Sequence, residues 1–273
     1  MLNPWIKFIR PLNGLMGIFG TFISGLIALG FNLVHHLVVI SIAAFCVFMV
    51  TSGGNILNDV VDVESDRKNH PRRPLVTGKI SASSARIAFY AFFLIPVVVA
   101  AFYLNLYAAL IVFLAEVLLI SYELKTKNLG LSGNITISVL VGFIFVFGGI
   151  SLDSAGRMLF LFLLAFLANL SREIIKDIQD MGGDVGRRTL PMAIGQRNSA
   201  VSVMGIIIAL VIISFIPYFI GLFSLYYLIV VAVTDIVFIL SSYATFRNPE
   251  RGQQISKIGM ILGLISFAVG GLT

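Results

Sequence analysis

Charge and cysteine are both scarce in this sequence. Only 12% of the 273 residues are Asp, Glu, Lys or Arg, against about 25% in an ordinary soluble domain. Cys46 is the only cysteine, which excludes an intramolecular disulfide, and it lies in an apolar run as a small packing side chain. Apolar residues are abundant instead: 58% are hydrophobic, and the mean hydropathy is +1.00. The composition indicates an integral membrane protein.

Apolar runs recur along the chain at close to the ~20 residues that a membrane-crossing helix needs. They are long and show no strict alternation, which favours helices over the strands of a membrane barrel. We predict an all-α, polytopic membrane protein that forms one domain over residues 1–273. The nine predicted transmembrane helices lie at about 11–31, 37–58, 84–103, 106–123, 134–151, 157–176, 199–217, 222–245 and 255–272, with ends uncertain by ~2–4 residues.

The basic residues test this division of the chain. The net charge is +6, which can reflect nucleic-acid binding but in a membrane protein more often marks cytoplasmic loops. With nine spans, 18 of the 19 Lys and Arg residues fall on the side that holds the N-terminus, and Arg157 is the exception. The pattern predicts a multi-pass protein of the cell membrane with a cytoplasmic N-terminus and an external C-terminus. No nucleic-acid partner is expected.

Acidic residues gather at the end of the second predicted span, in the stretch NDVVDVESDRKNHPRRP over 58–74. Helical periodicity places Asn55, Asp59, Asp62 and Asp66 at i, i+4, i+7 and i+11, close to one helix face. Asn58 begins a second row that includes Asp62 and Asp66. Paired arginines, Arg72 and Arg73, follow.

The end of the sixth predicted span repeats this arrangement in the stretch REIIKDIQDMGGDVGRRTLP. The same spacing recurs 118 residues later and is carried by Glu173, Asp177, Asp180 and Asp184. Two glycines at 182–183 predict that the helix ends before Asp184, and a second arginine pair follows at Arg187 and Arg188. Two matched motifs on one side of the membrane indicate a weak internal repeat facing one cavity.

The chemistry of the two motifs suggests a diphosphate site. Carboxylates packed together repel one another unless cations lie among them. Mg²⁺ prefers oxygen ligands and is usually held by one or two carboxylates together with substrate phosphate oxygens. The nearby bases would neutralise the remaining phosphate charge, and the apolar bundle could accept a hydrocarbon tail. The residues therefore predict a prenyl diphosphate donor and a lipid-soluble acceptor; the alternative is a merely solvated rim of charge.

Both motifs resemble those of the UbiA superfamily of intramembrane prenyltransferases. Its first motif, N-D-x-x-D-x-x-x-D, is matched by Asn58, Asp59, Asp62 and Asp66. Its second, D-x-x-D-x-x-x-D, is matched by Asp177, Asp180 and Asp184. The resemblance implies a ring of nine helices around a central cavity. It also implies that these seven residues hold Mg²⁺. Of the seven, Asp62, Asp66, Asp180 and Asp184 would be catalytic.

The resemblance also suggests residues around the substrate. Its third element, a tyrosine and a lysine after the fourth span, corresponds best to Tyr122 and Lys125, with Lys127 as a competing match. The diphosphate set then comprises Tyr122, Lys125, Lys127, Arg72, Arg73, Arg187 and Arg188. Arg10 and Asn13 are expected near the cavity. Glu116 joins them on physical grounds, because an acid about 11 Å inside a span is a functional candidate.

Compact loops and the run DVESDRKNHPRRPLVTGKIS most resemble the branch of the family that makes archaeal ether lipids. That implies transfer of geranylgeranyl to geranylgeranylglyceryl phosphate, giving the second ether bond, with membrane lipid around the protein and no obligate protein partner. An aromatic quinone precursor is the alternative acceptor. A cation transporter and a CDP-alcohol phosphotransferase are the alternatives outside the family; the second lacks support because glycine and Ala-Arg do not follow Asp62 at the required spacing.

Overall fold

The computed structural model describes residues 3–181 and 189–272, and these residues form helices and no β-strand. Twelve α-helices occur in them: α1 (Pro4–Ile9), α2 (Pro11–Leu29), α3 (Leu37–Val61), α4 (Val63–Asn69), α5 (Ala82–Tyr103), α6 (Leu106–Leu124), α7 (Leu131–Ile150), α8 (Met158–Asp180), α9 (Leu190–Ile194), α10 (Gln196–Phe219), α11 (Leu225–Thr245) and α12 (Pro249–Leu272). Short 3₁₀ helices span Gly30–His36 and Thr126–Asn128.

Eight helical segments of the described chain are long and apolar enough to cross a membrane. The first, Pro11–Val61, has 51 residues, which at about 1.5 Å per residue is far longer than one crossing needs. It contains two helices, α2 and α3, which are joined by the 3₁₀ helix Gly30–His36 and pack against each other. Nine long helices therefore cross the bundle within the described residues, as the hydropathy pattern predicts.

Each long helix packs against the next along the chain, and α12 returns to α2 to close the ring. Side-chain caps define several helix starts: Ser81 accepts a hydrogen bond from the backbone N–H of Ser84, and Asn105 accepts one from Ala108. These caps satisfy amide groups that have no partner within the helix. Successive helices alternate in direction, so the ends of α3, α6 and α8 meet at one face of the bundle.

Small residues allow the helices to approach closely, as in many membrane bundles. Gly148 of α7 faces Thr21 and Ser24 of α2. Gly53 of α3 faces the ring of Phe93 on α5. Such contacts fix α2 and α7 side by side, and the remaining helices enclose a central cavity.

Candidate active site

The cavity inside the helix ring has a volume of about 1630 Å³ and two chemically different ends. At the face where α3, α6 and α8 end, charged and amide side chains line it. Further inside, the lining is apolar, with residues such as Val112, Phe145, Leu164 and Phe267. The charged side chains that line it are Arg10, Asp62, Glu64, Asp66, His70, Arg73, Glu123, Arg172, Glu173, Lys176, Asp180, Asp235 and Lys257.

The first acidic motif lies where α3 passes into α4. The helical hydrogen-bond path continues almost unbroken through Asp62, whose N–H donates to the Asn58 carbonyl at 2.9 Å and whose carbonyl accepts from the N–H of Asp66 at 2.8 Å. Two of the acids along it are buried: Asp59 is 2% exposed and Asp66 is 4% exposed. Buried carboxylates need cations or hydrogen-bond donors nearby.

Arginines supply that charge for two of the acids. Arg73 Nη1 lies 3.0 Å from Asp59 Oδ1 and also donates to Asp66. Arg10, which precedes α2, pairs with Asp59 as well. The side chain of Arg73 is 21% exposed. Its guanidinium thus joins two carboxylates that stand seven residues apart on the helical path.

Asp62 turns instead to the end of α6. Lys127 Nζ lies 2.6 Å from Asp62 Oδ1 and 2.9 Å from Glu123 Oε2. The amide of Asn58 donates to the same two acids, at 2.8 Å to Asp62 and 3.0 Å to Glu123. The four side chains form a closed ring of hydrogen bonds. The row of acids predicted on one helix face is therefore divided between two cations, Arg73 and Lys127.

The second acidic motif lies at the end of α8. Asp177 accepts a hydrogen bond from the side-chain amide of Asn134 on α7, at 2.8 Å, and Asp180 lines the cavity. One turn earlier, Arg172 donates to Glu173. Predictions for Asp184, Arg187 and Arg188 concern positions outside the described residues.

The remaining predicted residues fall into two groups. Tyr122 and Asn13 line the cavity, and Asn13 donates to the side chain of Asn55 at 3.3 Å. Arg72 and Lys125 are exposed and lie outside the cavity lining. Lys127, rather than Lys125, is therefore the lysine that the structure brings to the first acidic motif.

Glu116 is 6% exposed but does not line the cavity, and its Oε1 has no hydrogen-bond partner among the described residues. Asp235 of α11 does line it, deep among apolar residues. Its Oδ2 accepts a hydrogen bond from Ser214 Oγ at 2.7 Å. Both acids therefore belong to the packed interior of the helices and not to the two acidic motifs.

Two site residues were not predicted from the sequence. Glu123 stands four residues before Lys127, the spacing of a helical ion pair, so this pair could have been found by inspecting the charge pattern. Asn134 gives no such signal, because an asparagine near a helix start is more often a cap. Its amide reaches Asp177 only because α7 packs against α8.

The carboxylate and amide oxygens of this site are ligands of the kind that Mg²⁺ prefers. In residues 3–181 and 189–272, no three Asp, Glu, His or Cys side chains are grouped closely enough to hold a metal ion by themselves. This fits an ion held by one or two carboxylates and completed by substrate oxygens. Arg73 and Lys127, each shared by two carboxylates, lie where positive charge is needed. The donor set therefore fits Mg²⁺.

Comparison with known proteins agrees with these features. The sequence pattern of the UbiA prenyltransferase family matches residues 18–265. A digeranylgeranylglyceryl phosphate synthase of Methanosphaera stadtmanae is 35% identical over 278 residues, covering 99% of this chain and 100% of the relative.

Two solved structures extend the comparison. One, from work on digeranylgeranylglyceryl phosphate synthase in membranes, is 32% identical with a TM-score of 0.86 and 98% coverage of both chains. The other, a UbiA homologue from Archaeoglobus fulgidus bound to GPP and Mg²⁺, is 17% identical with a TM-score of 0.71 and 98% coverage of both chains. The second comparison supports the fold alone.

Proposed function

This chain belongs to the UbiA prenyltransferase family, and from that premise we propose that it transfers a geranylgeranyl group from geranylgeranyl diphosphate to geranylgeranylglyceryl phosphate. The product is the doubly prenylated ether lipid for which its relatives are named. A relative at 35% identity over its whole length supports this acceptor, and the compact loops agree with it. A quinone-precursor acceptor is the alternative within the family.

One observation carries the proposal: a single cavity joins a charged end to a long apolar interior. A prenyl diphosphate has the same two parts, an anionic head and a hydrocarbon tail. Burial of the tail stabilises binding by about 25 cal/mol for each Å² of apolar surface removed from water. The same argument applies to an acceptor that carries its own prenyl chain.

Asp62, Asp66, Asp180 and Asp184 hold Mg²⁺ in this proposal, with Asn58, Asp59 and Asp177 as neighbouring oxygen ligands or supports. Mg²⁺ supplies positive charge for the oxygens of the leaving diphosphate. The carboxylates that bind Arg73 and Lys127 already stabilise positive charge at this place. Asn134, which donates to Asp177, orients that carboxylate as outer partners of metal ligands do.

Lys127, Arg73 and Arg10 turn toward the diphosphate once other cations share their carboxylates. Arg10, Arg73 and Tyr122 line the cavity, and Lys127 contacts the lining residue Asp62. The allylic C–O bond breaks with both electrons on the leaving diphosphate, whose charge these bases stabilise. The acceptor's free hydroxyl oxygen attacks the allylic carbon, and its proton passes to an oxygen of the released diphosphate, which completes the ether. Arg72 and Lys125 serve as a more distant basic rim, and Arg187 and Arg188 are proposed from the sequence alone to bind the diphosphate as well.

The charged end faces the cytoplasm in this proposal. Basic residues in loops are concentrated on the cytoplasmic side of membrane proteins, and 18 of the 19 Lys and Arg residues fall on this side of the nine spans. Soluble diphosphate released by the reaction would then enter the cytoplasm.

The test is an acceptor panel with the purified protein in lipid nanodiscs. It receives geranylgeranyl diphosphate, Mg²⁺ and either geranylgeranylglyceryl phosphate, 4-hydroxybenzoate or a dihydroxynaphthoate; products are identified by mass spectrometry. We expect transfer to the glycerol phosphate ether, and a loss of ~100-fold in Asp62→Ala and Asp180→Ala. Transfer to an aromatic acid alone would overturn the acceptor assignment, and variants within threefold of wild type would overturn the metal assignment.

A further inference from the structure

Lys257 is a cation inside a membrane-spanning helix. It lies eight residues after the start of α12, about 12 Å along the helix at 1.5 Å per residue. Its side chain is exposed and lines the cavity. It lies two residues into the span predicted at about 255–272, at the end of α12 nearest the basic loops, and a cation that lines a cavity there can bind an anionic ligand. Lys257 belongs to neither of the two acidic motifs.

The other cations near the first acidic motif already have carboxylate partners. Arg10 and Arg73 bind Asp59, and Lys127 binds Asp62. On α8, Arg172 binds Glu173. None of these pairs involves a residue of α12.

Two lysines are different. Lys257 on α12 and Lys176 on α8 both line the cavity, and neither forms an ion pair within the part of the chain that the structure describes. Helices α8 and α12 pack against each other. Among the described residues, Lys176 and Lys257 are therefore two cavity cations outside the ion pairs, on helices that pack against each other, and they favour an anionic ligand there.

Helix α12 carries neither acidic motif, so Lys257 reaches the cavity from an element other than α3 and α8. The donor and the acceptor of the proposed reaction each carry phosphate, and like charges repel strongly in a site shielded from water. Separate cations for the two anions allow both to bind at once.

We propose that Lys257, assisted by Lys176, binds the phosphate of the acceptor lipid, holding its head group beside α8 and α12. This inference rests on the proposed function and adds the recognition of a phosphate monoester to it. Lysine recognises phosphate as a compact point charge. The acceptor's prenyl chain then lies in the apolar interior beyond Lys257, which Met260, Leu264 and Phe267 line from the same helix.

The experiment compares two acceptors, geranylgeranylglyceryl phosphate and the same lipid without its phosphate, in wild type and in Lys257→Met. In the variant we expect the KM for the phosphorylated acceptor to rise about tenfold, as for loss of one charge-assisted contact. The KM for the donor should stay within twofold. The advantage of the phosphorylated acceptor over the dephosphorylated one should shrink by the same factor.

Matched variants keep the test decisive. Arg251→Met removes a cation from an exposed position on another face of α12 that does not line the cavity, and it should change neither KM. Lys257→Arg should retain most of the phosphate preference, which shows that Lys257→Met acts through charge and not through folding. An unchanged phosphate preference in Lys257→Met, or an equal loss for both acceptors, would overturn the inference. If wild type uses no glycerol phosphate ether at all, the proposed function itself fails, and that result is visible before any variant is made.

Discussion

Lys127 places its Nζ 2.6 Å from Asp62 Oδ1 although 65 residues separate the two in the chain. The contact joins the end of α6 to the junction of α3 and α4. It also buries the lysine, whose side chain is only 6% exposed. The contact with Asp62 therefore holds the Lys127 ammonium group out of solvent, close to the proposed position of the diphosphate.

Lys127 and Lys125 provide a matched pair of variants. We expect Lys127→Met to lower kcat/KM for the donor by about 100-fold, the size typical of losing one charged stabiliser of the transition state. Lys125→Met should stay within twofold of wild type, because that side chain is exposed outside the cavity lining. Steady-state kinetics with varied donor would measure both. A larger loss in Lys125→Met than in Lys127→Met would reverse the assignment.

Arg73 and Arg72 provide a second matched pair of variants, which tests folding stability instead of kinetics. Removing Arg73 leaves Asp59 and Asp66 buried with less positive charge, and breaking a buried pair from one side costs about 3 kcal/mol. Arg73→Met should therefore unfold at a clearly lower temperature in detergent without Mg²⁺, whereas the exposed Arg72→Met should not. Added Mg²⁺ should restore more stability to Arg73→Met than to wild type, and equal Mg²⁺ effects would contradict this account.

Asn134 is predicted to affect the metal and not the fold. Its amide donates to Asp177 at 2.8 Å, and loss of such an outer partner typically weakens metal affinity by about 10- to 100-fold. Asn134→Leu should raise the Mg²⁺ concentration for half-maximal activity by about tenfold. Ile135→Ala, at the next position along α7, is the control. Its side chain is exposed and does not line the cavity, so the Mg²⁺ requirement should not change.

Gly148 and Gly205 test the close packing of α7 against α2. A Cβ at Gly148 would lie 3.2 Å from the Thr21 carbonyl and 3.1 Å from Ser24 Cβ. Such overpacking costs about 2 kcal/mol, so Gly148→Ala should lower the melting temperature. Gly205 of α10 has no atom within 4 Å of an added Cβ, and Gly205→Ala should be neutral or slightly stabilising. Similar melting temperatures for the two variants would contradict the tight packing of α2 against α7.

The proposed orientation can be tested with single cysteines. Replacing the buried Cys46 with Ala removes the only native thiol. Introduced cysteines at the exposed positions Lys79 and Ala155 then report opposite faces of the bundle. A membrane-impermeant maleimide added to intact cells should label Ala155→Cys, and should label Lys79→Cys only after permeabilisation. The reverse pattern would place the charged end outside.

The helices were predictable because a backbone in hydrocarbon must satisfy its own hydrogen bonds. Apolar runs therefore mark each crossing, and the predicted span at about 106–123 matches α6 at Leu106–Leu124. The predicted spans differ from the helices at their ends because hydropathy detects the apolar stretch and not the whole helix. The second predicted span stops near 58 and the sixth near 176, whereas α3 continues to Val61 and α8 to Asp180. Helical hydrogen bonds persist into charged residues that hydropathy excludes.

The sequence by itself determined the chemistry of the charged end, because the types and spacing of Asp62, Asp66, Asp177 and Asp180 already call for shared cations. Only the tertiary structure decided the partners. Whether Lys127 or Lys125 reaches Asp62 depends on how the chain leaves α6, and the contact of Asn134 with Asp177 depends on the packing of α7 against α8. Local spacing fixes which side chains share a helix face, whereas ion pairs between distant segments are set by the arrangement of whole helices.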